Sequence, residues 1–363
     1  MPNGKPPFRA DHVGSLLRPV PLREARAAQA ADLRTTEDAA IIAAIADQKA
    51  NGLHAVTDGE YRRAFWHFDF LAKLGGVEMY ESDQGIQFQG GQTKAYGLKV
   101  TGPIRYEGHP FVEDYKFVAA NAGGAVAKQT IPSPSVLHFR GGRRAVDTHT
   151  YPTMDGFFAD LGTAYAAAVQ DFAAAGCRYL QLDEVNIAYL CDPEQLAQLK
   201  NRGEQVDGLL QTYATLINTA VANRPSDMTV SMHLCRGNFR SMHIASGGYD
   251  PVAEVLFNGI DVDAYFMEYD TERAGSFAPL RFLPKGKTVV LGLVTSKTGE
   301  LESKDVLKRR IDEAAKHAPL EQLAISPQCG FASTEEGNLL SVEQQWAKLR
   351  LCVEVAREVW GEV

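Results

Sequence analysis

The chain has 363 residues, 45% hydrophobic and 23% charged, with a formal net charge of −8 and a sequence pI near 5.6. That is ordinary globular composition, sufficient for one large α/β domain or two smaller ones. An acidic chain lacks the basic face of a phosphate-backbone binder, and no stretch reaches the ~18 uninterrupted apolar residues of a membrane span, so neither nucleic acid nor membrane is an expected partner.

The N-terminal Met1-Pro-Asn-Gly-Lys-Pro-Pro7 has no apolar core of the signal-peptide kind. A short apolar run follows at residues 8–13. A helix is predicted from about 36 to 51, capped by Thr35 or Thr36 and stopped at Gly52. Further apolar runs occupy residues 54–57, 126–131, 179–182, 228–234, 262–267, 288–294 and 323–326. Helical patterns fill about 156–175, 204–223, 249–257, 303–317 and 341–358. Eight strand candidates alternating with helices predict βα units and a parallel sheet. At this length they suggest a single (β/α)8 TIM barrel, which needs ~250 residues before insertions. The excess lies between the second and third strands. There, residues 76–110 carry many glycines and alternating segments, read as an inserted β-hairpin or lid. An open doubly wound sheet is the other arrangement weighed, but no Gly-x-Gly-x-x-Gly follows any strand. With no linker, repeat or low-complexity tract, residues 1–363 read as one domain.

A barrel of this kind carries its chemistry at the C-terminal ends of its strands. The fifth strand ends Ser231-Met-His233-Leu-Cys235, the sixth Tyr265-Phe-Met-Glu268-Tyr-Asp270, and the eighth Ile325-Ser-Pro-Gln-Cys329-Gly330. Residues i and i+2 of a strand point to one side, so His233 and Cys235 share a target. With Glu268 and Cys329 they offer an imidazole, two thiolates and a carboxylate. Zinc accepts that set, whereas soft thiolates disfavour magnesium and calcium. His-x-Cys alone says little, because buried cysteine is often only a small hydrophobe. The combination at strand ends carries the reading. The five cysteines (177, 191, 235, 329 and 352) show no disulfide framework, and a cytoplasmic protein is expected.

Other segments reach the same mouth. The first strand ends His12-Val-Gly14-Ser15, the second Thr57-Asp58-Gly59-Glu60, and the fourth Gln181-Leu-Asp183-Glu184. Carboxylates there suit acid–base work or capture of a substrate amine, and equally a glycosidase pair; ion pairing or helix capping is the plain structural alternative. Glu268 and Asp183 are the catalytic candidates. Arg140-Gly-Gly-Arg143-Arg144 reads as a solvated loop or an anion contact. The stretch from Tyr61 through Trp66 to Phe70 reads as an aromatic stripe packed on the barrel, or as a lid or donor pocket.

Together these segments resemble the cobalamin-independent methionine synthase family, specifically its C-terminal catalytic barrel, in a single-barrel form. The resemblance runs through His12-Val-Gly-Ser15, Asp58-Gly59-Glu60, Gln181-Leu-Asp183-Glu184, His233-Leu-Cys235, Glu268 and Gln328-Cys329-Gly330. It implies zinc held by His233, Cys235, Glu268 and Cys329, and a homocysteine backbone held by Ser15, Glu60 and Asp183. It implies methyl transfer to homocysteine to give methionine, from a methylfolate such as 5-methyltetrahydropteroyltriglutamate or another donor. A free thiol is mostly protonated at pH 7, whereas a coordinated one is a thiolate. Glu268 is the ligand expected to loosen when substrate sulfur arrives. Three departures concern the donor. The long members' N-terminal barrel has no expected counterpart here. The family's histidine after the seventh strand is replaced by Thr295-Ser296-Lys297. Its pterin-stacking Trp is missing from the stretch at 132–139. The sequence therefore leaves open the donor, a partner protein that delivers it, and self-association.

Three other readings remain. Zinc-dependent addition of a thiol such as coenzyme M to an epoxide resembles the same barrel, although Ser15, Glu60 and Asp183 favour an amino-acid thiol over a sulfonate. A barrel hydrolase would use Asp183 and Glu184, with Tyr61 and Trp66 as sugar-stacking candidates. A non-enzymatic module would bind the thiol but turn over no donor on its own.

Overall fold

Apolar runs without polar alternation suit strands covered on both faces. The computed structural model, which describes residues 5–83 and 85–363, places most of these runs in such strands. The first four residues of the N-terminal stretch, and Gln84 within the expected insertion, lie outside the described residues. In chain order the strands are β1 (Ala55–Val56), β2 (Gly75–Glu81), β3 (Gln87–Phe88), β4 (Gly91–Gln92), β5 (Tyr96–Arg105), β6 (Val126–Ala127), β7 (Gln129–Pro132), β8 (Tyr179–Glu184), β9 (Thr229–Leu234), β10 (Ala264–Glu268), β11 (Thr288–Val294) and β12 (Leu323–Pro327). β7 to β12 form one parallel six-stranded sheet, each strand beside its successor in sequence. Every residue of β7, β8, β10, β11 and β12 is buried. The architecture is α/β with a parallel sheet.

The remaining early segments attach at the two ends of that sheet. β6 continues into β7 across Lys128 and pairs in parallel with β1, Ala55 opposite Val126 and Val56 opposite Ala127. Residues 8–13, expected as the first strand, contribute a single parallel bridge from Ala10 to Ile325 of β12. The reason lies in Asp11. Its carboxylate accepts hydrogen bonds from the backbone N–H groups of Phe8 (3.3 Å) and His12 (2.7 Å), drawing the chain into local bonds that compete with a ladder. A compact inner cluster joins Phe8 and Val13 to Ala55, Tyr179, Phe266, Val290 and Ala324 from the surrounding strands.

Between β1 and β6, two antiparallel pairs, β2 with β5 and β3 with β4, occupy the stretch read as an insertion. Pro110–Asn121 then forms a helix. The helical pattern expected at 204–223 appears as the helix Leu209–Val221, preceded by a separate helix, Pro193–Asn201, that was not expected, with Gly203 and Gly208 at positive φ between the two. The expected helix at 249–257 is reduced to a π-helical turn at Val255–Gly259. The last helix, Val342–Trp360, starts with a capping box between Ser341 and Gln344 and ends at Gly361 in the left-handed conformation. Among the described residues no helix is long and apolar enough to cross a membrane.

Candidate metal centre

Parallel register decides which strand-end side chains meet. His233 on β9 stands level with Asp183 on β8 and Phe266 on β10. Cys235 follows one residue past the end of β9, and Cys329 two residues past β12. The ligand atoms of His233, Cys235 and Cys329 all lie within 4.8 Å of one another, and all three residues are buried. The two sulfurs are 3.5 Å apart, and all five cysteines are free thiols.

The chemistry of this trio suits a cation. His233 Nδ1 lies 3.2 Å from the Phe266 carbonyl oxygen, which orients the ring. Its Nε2 is buried and has no hydrogen-bond partner. An imidazole held by Nδ1–H on a carbonyl, with Nε2 bare, is the arrangement of a zinc-bound histidine. Cys235 Sγ also accepts the Gly237 N–H at 3.2 Å. The Cys235 thiol is pushed far above its usual range by the adjacent Cys329 sulfur and by burial. Two buried thiols in contact cannot both ionise without a positive centre between them, and a coordinated metal supplies one. The residues present therefore fit zinc.

Glu268 is close by but does not converge with the trio. One carboxylate oxygen is 2.5 Å from Arg273 Nη2 and 3.5 Å from Lys297 Nζ; the other accepts the Arg236 N–H at 2.8 Å. Burial alone would raise this carboxyl, but Lys297, Arg273 and Arg236 outweigh it and hold it at about 2. Lys297 is itself held above its usual value: burial would lower it, and Glu268 and Asp270 more than compensate. Arg273 comes from a short 3-10 turn after β10, where nothing in the sequence marks it. Lys297 stands in the Thr295-Ser296-Lys297 segment, but its salt bridge to Glu268 is a long-range contact.

Ser15, Glu60 and Asp183 line the same small cavity, about 40 Å³, as His233, Cys235 and Cys329. Glu60 sits at φ +60°, directly after Gly59 at +65°. A non-glycine residue held in the left-handed region at a cavity wall is strain of the kind that functional sites retain. Its carboxylate accepts the Thr130 hydroxyl at 2.9 Å and lies 3.5 Å from Arg63. Burial, with Asp183 and Asp58 nearby, raises Glu60 to about 7 despite Arg63. Asp183 is likewise raised by burial, against the pull of His233 and Gln181, and it accepts the Gln181 side-chain amide at 2.8 Å. Ser15 Oγ accepts the Ala332 N–H at 3.2 Å.

Glu184 does not belong to this cavity. Its carboxylate caps the next turn, accepting the N–H groups of Asn186 (2.6 Å) and Ile187 (3.0 Å) and the Ser135 hydroxyl. Consecutive strand residues face opposite sides, so Asp183 and Glu184 form no glycosidase pair. Of the aromatic stretch, Trp66 lines the thiol-bearing cavity, while Phe68, Phe70 and Leu71 are buried in a short helix.

Residues 20–358 match the family model described as the catalytic domain of cobalamin-independent synthase. The uncharacterized protein YxjG of Bacillus subtilis is 52% identical over 364 residues, covering 98% of this chain and 96% of its own length. A Listeria monocytogenes structure assigned as vitamin-B12 independent methionine synthase is 42% identical, with a TM-score of 0.79 over 99% of this chain and 100% of that one. A B12-independent methionine synthase from Shewanella sp. W3-18-1, in complex with selenomethionine, shares the fold at 19% identity, with a TM-score of 0.72 over 97% of each chain.

Proposed function

This chain belongs to the cobalamin-independent methionine synthase family as its catalytic domain, and on that premise we propose that it methylates homocysteine at a zinc centre held by His233, Cys235 and Cys329. It is a methyltransferase of the cobalamin-independent type. The observation that carries the zinc reading is the bare, buried Nε2 of His233 facing two thiols 3.5 Å apart.

When bound, zinc would hold a substrate thiol as thiolate at neutral pH. The protein's own groups do the rest. Ser15, Glu60 and Asp183 bind the amino-acid backbone beside the sulfur, the two carboxylates receiving its α-ammonium. Bringing that cation beside Glu60 favours the ionised carboxylate, so substrate binding itself draws a proton off Glu60. Glu268 would be the fourth residue to hold zinc. Arg273 and Lys297 give its carboxylate an alternative ion-paired position, in which it is not an unpaired buried charge.

Closure of the parallel sheet into a (β/α)8 barrel belongs to the same reading. It is supported by the Ala10–Ile325 bridge at one end, by the β1–β6 pair at the other and by the inner cluster between them. So does a lid role for β2 to β5 within a single domain, since Phe88 of β3 lines the thiol cavity. The test is metal analysis of the purified chain, followed by methionine detection with homocysteine and a panel of methyl donors. One zinc per chain is expected, with loss of most of it in Cys235→Ser and Cys329→Ser. Full zinc retention in either variant refutes the ligand assignment.

A further inference from the structure

Arg140, the first of the basic cluster, has a place that the zinc chemistry does not use. It sits in the helix Ser135–Gly141 that follows β7. It lines the small thiol cavity and also a second cavity of about 370 Å³. Phe88 is the other residue common to both, so the two chambers are neighbours across a Phe88–Arg140 partition. The larger chamber holds a second guanidinium, Arg202, and is walled by the rings of Phe68, Tyr80, Tyr96 and Phe139.

Both guanidinium groups have unmet capacity. The Nε atoms of Arg140 and Arg202 are buried without hydrogen-bond partners, while Arg202 Nη1 and Nη2 donate to the carbonyl oxygens of Arg140 (3.3 Å) and Phe139 (3.0 Å). Arg140 pairs with no carboxylate among the described residues. Glu204, the carboxylate beside Arg202, is engaged by the Arg143 N–H at 3.0 Å and by His138 at 3.5 Å. The one carboxylate that lines the chamber, Glu194, is exposed. A buried N–H without an acceptor is costly, and a guanidinium is built to take a carboxylate through two parallel bonds. Clustered aromatic rings, in turn, are the usual receptor for a methylated onium centre.

We propose that this chamber is a second substrate site, for a small onium carboxylate whose carboxylate rests on Arg140 and Arg202 and whose methylated nitrogen or sulfur faces the aromatic wall beside the thiol cavity. The inference rests on the methyl-transfer reading above and names its donor class. In the transfer the homocysteine sulfur forms a bond to the methyl carbon, and the bond from that carbon to the onium atom breaks. The bonding pair stays on the onium atom, which leaves neutral and takes up no proton. The thiol proton has already gone to solvent on thiolate formation. The donor thus loses its positive charge in the step that consumes the thiolate's negative one.

The test uses the full zinc-loaded chain and two near-isosteric probes, glycine betaine and dimethylsulfonioacetate, with tetramethylammonium as the cation that lacks a carboxylate. Calorimetry is expected to show binding of the carboxylate probes. Arg140→Met should weaken them at least 10-fold and leave tetramethylammonium unchanged. Gln198→Glu, an exposed position that lines the larger chamber alone, should weaken them several-fold with zinc content and homocysteine binding intact. Methionine formed from one probe and not the other assigns the onium atom as nitrogen or sulfur. If neither probe binds at millimolar concentration while homocysteine does, the inference is overturned and the methyl-transfer reading stands. If homocysteine binding fails as well, both fall. Methylation of homocysteine by a methylfolate at an undiminished rate in Arg140→Met also overturns the inference.

Discussion

Glu60→Gln should stabilise the protein at alkaline pH and weaken its hold on substrate. The Glu60 side chain is buried, with 3% of the residue exposed, and its carboxyl is lifted from 4.5 to about 7. Below pH 4.5 the group is protonated both folded and unfolded. Between 4.5 and about 7 the folded state holds a proton that the unfolded state has released, so stability falls as pH rises through that window. At ~1.4 kcal/mol per pH unit, the cost reaches about 1.4 kcal/mol at pH 5.5 and about 3 kcal/mol at pH 8.5. Glutamine resembles the protonated carboxyl and keeps an acceptor for the Thr130 hydroxyl, so it avoids that cost. The variant's advantage over the parent should therefore grow by about 2 kcal/mol from pH 5.5 to 8.5. Urea unfolding of both proteins at the two pH values, with zinc content matched, measures it. Homocysteine binding should weaken about 10-fold or more, because glutamine offers no charge to the ammonium. A variant less stable by the same amount at both pH values would refute the reasoning: it would mean that Arg63 keeps Glu60 ionised throughout.

Replacing both Arg273 and Lys297 by Met removes the alternative ion-paired position of the Glu268 carboxylate. Zinc should then resist a competing chelator longer than in the parent, while homocysteine binds several-fold more weakly; unchanged values for both would exclude exchange at Glu268. Glu184→Ala removes two backbone N–H acceptors and the Ser135 contact, which should cost about 1–3 kcal/mol in unfolding experiments without changing zinc content. Loss of zinc in that variant would place Glu184 in the site after all. In Gly330→Ala the new Cβ would lie 1.9 Å from Ser15 Oγ. A weaker homocysteine complex in a folded, zinc-replete protein is expected, and an unchanged dissociation constant would remove Ser15 from the substrate-binding set.

Much of this protein could be read along the chain because its signals are local. Strands buried on both faces have continuous apolar runs, so β8 to β12 were visible within a few residues. The i, i+2 alternation put His233 and Cys235 on one side, and strand-end position marked Glu268 and Cys329. Other features depended on groups distant in sequence. Asp11 spends its carboxylate on its own backbone and on Lys128, and the run at 8–13 is left with one bridge. Asp183 and Glu184 look equivalent as letters, yet the pleat sends one to the cavity and the other to a cap. The state of Glu268 was decided by cations outside its own strand: Arg273 from a 3-10 turn and Lys297 from beyond β11 both reach it. Sequence determined which side chains stand at the strand ends, because the strand repeat is a property of the backbone. Only the tertiary structure decided which of them meet, because ion pairs form between neighbours in space and carry no periodicity along the chain.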